Sequence, residues 1–119
     1  MKKTVPFDLF GNKSDYLTLN IKDLMAIEAV SGLSIIDIFR SYSSGAFTLT
    51  SVYQILPFAY ADCAQSKGEE TDVPALIDAA LENGVPITKF GVPLAMAIIE
   101  TGIFGKKQNP KTRKTQKTE

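Results

Sequence analysis

The residues able to do chemistry are few, and what is missing narrows them first: among 119 residues there is no histidine and a single cysteine, Cys63. Every histidine-based metal set, the Ser-His-Asp triad and the Cys-His pair are therefore excluded, and so is a disulfide within the chain. The remaining carboxylates gather densely once, at Asp62, Glu69, Glu70 and Asp72. Paired carboxylates can bind magnesium or act as acid and base, but these lie in or beside a charged loop with no apolar surroundings to shift a pKa, so a solvated loop is expected. The run GIFGKK from Gly102 to Lys107 ends like a phosphate-binding loop, yet it lacks the GxxxxGK[ST] spacing and the strand before it. Cys63 falls on an apolar stripe at helical spacing, which predicts a small buried hydrophobe and not a reactive thiol. No enzymatic activity, bound metal or cofactor is expected.

Charge is balanced in sum and uneven in place. Lys and Arg number 13 and Asp and Glu 13, but residues 106–119 (KKQNPKTRKTQKTE) carry six basic residues against Glu119 alone, a net of plus five, which leaves minus five on residues 1–105. The segment holds no large apolar residue, so burial cannot offset its ordering entropy, and a disordered basic tail is expected. Phosphate neutralisation is one use for such a tail; a solubilising terminus resting on its own acidic body is the other. No aromatic interleaves the lysines, which disfavours stacking on single-stranded nucleic acid.

With 45% hydrophobic and 22% charged residues, positions 1–105 read as one domain able to form a core without staples. The longest apolar run, Val92 to Ile99, is far short of the roughly 18 residues of a bilayer span. Lys2 and Lys3 are followed by Thr4, Pro6 and Asp8 and not by an export signal, so a cytoplasmic protein away from membranes is expected.

The elements that must position these residues follow from local signals. TVPFDLFGNKSDYLTLN alternates around a Gly-Asn-Lys-Ser turn, a hairpin pattern with Val5, Phe7 and Leu9 on one face and Leu17 and Leu19 on another. Asn20 with Asp23, and Gly32 beyond, bracket a helix over 21–31; Ser34 with Asp37 opens a second that breaks at Ser43-Ser44-Gly45. Leu49, Val52, Tyr53, Leu56, Tyr60 and Cys63 predict a third over roughly 50–65, its period running through Pro57, where a kink is expected and two separate helices are the alternative. Asp72 and Pro74 start a fourth that stops at Asn83-Gly84. The fifth is predicted over 88–104. The expected fold class is mainly α, a small bundle of about five helices with a short N-terminal β-hairpin.

That last segment is apolar on all sides, through Phe90, Val92, Leu94, Met96, Ile98, Ile99, Ile103 and Phe104. Such a helix is either the centre of its own core or covered by a partner. The expected interaction surface is Met96, Ile99, Ile103 and Phe104 together with Ile35 and Phe39 of the second helix, facing a second copy or an apolar client. Ala80, Gly84 and Phe90 are spaced as in a helix-turn-helix, but residues 90–99 offer no Arg, Asn or Gln to a base edge and include Pro93, which disfavours DNA reading.

Over residues 5–105 the order of signals resembles the tail assembly chaperones of long-tailed bacteriophages and the related gene-transfer agents. The likeness rests on the polar-turned hairpin leading into NIKDLMAIEAVSGLSIIDIF, where Leu24 and Glu28 fit the Leu-x-x-x-Glu helix ending in glycine common in that family. It continues through LTSVYQILPFAYADC, the acidic loop, the Pro-started helix and a closing apolar helix. The resemblance implies a non-enzymatic assembly factor of the bacterial host cytoplasm, absent from the mature virion, that shields the tape measure protein and recruits tail tube subunits. It also implies a longer frameshifted form, for which a slippery codon run at Gly105-Lys106-Lys107 would serve. A head-tail connector component and a nucleic-acid-binding regulatory module using the basic tail are the alternative readings.

Overall fold

In the computed structural model, which describes residues 3–68 and 70–105, five α-helices follow a short hairpin among the described residues. The expected basic tail over 106–119 lies outside the described residues, as does Glu69.

Each of the first four helices starts where a short polar side chain replaces a missing backbone partner. At α1 (Ile21–Ser31), Asn20 accepts from the Asp23 N–H at 2.8 Å while the Asp23 carboxylate accepts from the Asn20 N–H at 3.0 Å, a reciprocal capping box. The helix ends on Gly32, whose φ of 73° lies in the left-handed region that glycine enters without strain. Ser34 caps α2 (Ile35–Ser44) by accepting from Asp37 N–H at 3.1 Å, and Glu28 on α1 accepts from Ile35 N–H at 2.8 Å. Glu28 thus serves two helices, as the last turn of one and a cap of the next. Thr48 caps α3 (Leu49–Ser66), which runs through Pro57, and Asp72 caps α4 (Val73–Glu82), whose Pro74 sits in the first turn.

The fifth element departs from expectation. Instead of one helix over 88–104, a 3-10 turn (Ile87–Phe90) leads into α5 (Gly91–Glu100), and turns follow. Pro93 has no N–H to donate and belongs in a first turn, which suits a helix beginning at Gly91. At the other end Gly102 takes φ 84° and Gly105 N–H closes a tight turn onto the Gly102 carbonyl at 3.0 Å. The apolar period continues past the helix into residues that are no longer helical.

The hairpin is brief: β1 (Val5–Pro6) pairs antiparallel with β2 (Tyr16–Leu17), Val5 opposite Leu17. Two residues a side cannot stand alone in water. The hairpin is held by packing, since Val5, Phe7, Leu17 and Leu19 are buried, and by the Thr18 N–H donating to the Ala59 carbonyl of α3 at 3.0 Å. Leu9 falls beyond the strand and is half-buried. Phe7, Phe10, Tyr60 and Phe90 meet edge to face or tilted, with centroids 5.1–6.5 Å apart. Helix α2 lies against α5, and the segment after α2 comes close to the start of α5. A Cβ at Gly91 would stand 2.7 Å from a Phe47 ring carbon and 3.0 Å from the Tyr42 carbonyl oxygen. No helix among the described residues is long and apolar enough to cross a membrane.

Candidate functional site

Helix α5 divides its apolar residues between two faces. Leu94, Ala95, Ala97 and Ile98 turn inward and are buried, while Val92 (61% exposed) and Met96 (43%), one turn apart, are left outside. Past the helix end, Ile103 and Phe104 are exposed as well. Of the six residues expected to form an interaction surface, Met96, Ile103 and Phe104 are exposed, and Ile99 is half-buried. Phe39, half-buried on α2, meets Phe104 with ring centroids 4.8 Å apart, so the structure brings these two together.

Ile35 departs from that set. It is 5% exposed and belongs to the core, because the Glu28 and Ser34 contacts fold the start of α2 against α1 and turn this first residue inward. Its neighbour Ile36 is 50% exposed and shares a flank of α2 with Phe39 at a spacing of three. The candidate surface is accordingly the outer side of α5 with Ile103 and Phe104, bordered on α2 by Phe39 and Ile36.

A second constellation emerges only in three dimensions. Asp15, in the hairpin, is 2% exposed, and its carboxylate accepts from Lys67 Nζ at 2.7 Å, Tyr60 Oη at 2.8 Å and Cys63 Sγ at 3.5 Å. Lys67 also donates to Tyr60 Oη at 3.1 Å. Burial pushes the Asp15 carboxyl up, but the Lys67 and Tyr60 hydrogen bonds, the Lys67 charge and the Cys63 contact together hold it below the ordinary aspartate value. Burial, with the Asp15 bond and charge, pushes Tyr60 up to about 12, against the Lys67 contact, which lowers it. Lys67 is driven above the usual lysine range by its bonds to Asp15 and Tyr60. With its oxygens engaged by donors from three side chains, this carboxylate clamps the hairpin to the end of α3. Cys63 is buried as expected, but with this polar contact besides. A signal for Asp15 exists: it precedes Leu17 and Leu19 at a period of two, which places it on their buried face.

The acidic residues singled out from the sequence are dispersed in role. Asp62 accepts from Tyr16 Oη at 2.7 Å, Asp72 caps α4, and Glu70 is exposed. That bond to Asp62 raises the Tyr16 pKa. Among the described residues no three Cys, Asp or Glu side chains stand together as a metal set. An open groove of about 680 Å³ runs between the start of α1, the second half of α3 and the end of α5. Searches against protein-family models, curated proteins and solved structures find no match to this chain.

Proposed function

We propose that this chain is a non-enzymatic tail assembly chaperone that holds an apolar client, a tape measure protein, on the outer side of α5 and recruits tail tube subunits to it. The observation that carries the reading is the placement of Val92, Met96, Ile103 and Phe104 outside a core that the rest of α5 completes. Leaving a large apolar side chain in water forgoes roughly 1.5–3 kcal/mol of burial, so several in one region favour a partner. The Leu24 and Glu28 spacing supports the same reading with a physical reason. Leu24 is buried and Glu28 caps α2, so the pair positions the helix that borders the surface.

Two experiments test it in order. The reading requires a gene placed between those of a major tail protein and a very long tape measure protein. Co-expression with that tape measure protein then keeps the client soluble, and Phe104→Asp abolishes the effect while the helical circular dichroism is retained. A gene placed elsewhere, or a client whose solubility ignores the chaperone, overturns the proposal.

A further inference from the structure

We propose that the Asn83–Gly84 link, where α4 ends, is a site of spontaneous deamidation that converts the asparagine into aspartate and isoaspartate. It is the one Asn-Gly pair in the sequence. The asparagines among the described residues are held differently. Asn12 accepts from the Ser14 N–H at 2.9 Å and the Ser14 hydroxyl at 2.7 Å, and Asn20 is fixed in the capping box of α1. Each precedes a bulky side chain, Lys13 and Ile21 respectively. Asn83 is exposed, and its side chain has no hydrogen-bond partner among the described residues. Gly84 sets no side chain in the way of its own nitrogen.

The reaction uses only the chain and water. The Gly84 nitrogen gives its proton to solvent and attacks Asn83 Cγ; a C–N bond forms, the Cγ–Nδ2 bond breaks, and ammonia leaves with a proton from water. Water then opens the resulting succinimide ring. Attack at Cγ leaves aspartate, and attack at the main-chain carbonyl carbon leaves isoaspartate, with the backbone running through Cγ. The fold sets the gate. Asn83 has ψ 6°, the Gly84 N–H donates to the Leu81 carbonyl at 3.1 Å, and the Val85 N–H donates to the Ala80 carbonyl at 3.0 Å, the paired bonds that close this helix end. Bringing the Gly84 nitrogen onto Cγ turns ψ away from that value and breaks the first bond. Only one terminal turn has to open, which costs far less than unfolding the chain. The products then oppose reclosure: a carboxylate stands at the negative end of the helix dipole, and isoaspartate adds a backbone carbon inside both hydrogen-bonded rings.

Incubation of the full chain at pH ~8.5, where base assists loss of the amide proton, followed by digestion and mass mapping, tests this. The peptide holding Asn83 should gain about 1 Da and split into two species, one of them a methyl acceptor for protein isoaspartyl methyltransferase. Peptides holding Asn12 and Asn20 should stay unchanged over the same time. Asn83→Gln, whose longer side chain closes a ring less readily, should abolish the conversion. The isoaspartyl fraction should melt a few degrees below the native chain. No conversion at Asn83 in the folded chain when the urea-unfolded chain converts, or equal conversion at Asn12 and Asn20, overturns the proposal; an isoaspartyl fraction with the native midpoint overturns its effect on the turn. No client is needed for these measurements, so their outcome is independent of the chaperone reading.

Discussion

The junction of the hairpin with α3 and the outer side of α5 handle burial in opposite ways. At the junction a charged side chain is buried and each of its neighbours is a donor: Asp15 is 2% exposed and holds Tyr60, Lys67 and Cys63. On α5 the residues are apolar and some are left in solvent, Val92 at 61%. The first arrangement is costly to disturb, because every partner removed leaves a buried polar group unmet; the second can be altered at little cost to the fold. Residues that violate the simple rule of apolar inside and polar outside thus form a clamp in one place and the proposed association surface in the other.

The sharpest way to break this contrast is Asp15→Ala, which leaves the buried Tyr60 hydroxyl without an acceptor for its proton and Lys67 without its carboxylate. A destabilisation of about 2–4 kcal/mol is expected in urea unfolding, with the hairpin detaching from α3 before the helices melt. A change under about 0.5 kcal/mol would mean that the junction holds nothing. Next comes a comparison of adjacent residues on one helix. Gly91→Ala forces a methyl into the Phe47 ring and the Tyr42 carbonyl and should cost about 1–3 kcal/mol, whereas Val92→Ser, on the exposed side, should cost under about 0.5 kcal/mol. Both are read by the same urea titration.

Acid sharpens it further. The folded Asp15 pKa is depressed below its ordinary value of 3.8. Between the two values the unfolded chain binds a proton that the folded chain does not, so stability rises with pH there. The contribution of Asp15 is complete above pH ~4 and disappears as pH falls through the folded value. Lys67 is raised from 10.5, so its contribution is complete below that pH and disappears as pH rises through its folded value. Thermal midpoints recorded from pH ~2 to ~5 should climb for the native chain and less steeply for Asp15→Asn. Equal slopes would remove Asp15 from the acid limb. A small effect on stability is expected from Phe104→Asp as well, under about 1 kcal/mol, read by thermal unfolding. A larger effect would assign Phe104 to the core through Phe39.

What the sequence discloses and what it conceals follow from distance along the chain. The caps Asn20, Ser34 and Asp72 act within three residues, and each starts its helix at the expected place. The end of α5 is obscured because apolar spacing persists through Ile103 and Phe104 after Gly102 has already turned the backbone. Helical spacing groups Ile35 with Ile38, Phe39 and Tyr42 on one apolar face but does not say whether the core or a partner covers it, and the hydrogen bond that fixes the start of α2 runs from Ile35 N–H to Glu28, seven residues earlier. For Asp15 the period of two marks the buried face, but its partners Tyr60, Cys63 and Lys67 lie far along the chain and are hidden for the same reason at larger scale.

Those long separations bear on how fast the molecule assembles. Asp15 lies 45 residues from Tyr60 and 48 from Cys63, whereas the hydrogen bonds that build α1 to α5 join near neighbours. Closing such a loop loses chain entropy before any contact rewards it, so the helices gain structure early and the clamp on the hairpin comes late. Removing an interaction absent from the rate-limiting transition state leaves the refolding rate almost unchanged and speeds unfolding. In stopped-flow measurements Asp15→Ala should therefore shift the unfolding arm and spare the refolding arm. The hairpin then acts as the latch on residence time in the native state, and the helices set the speed of arrival.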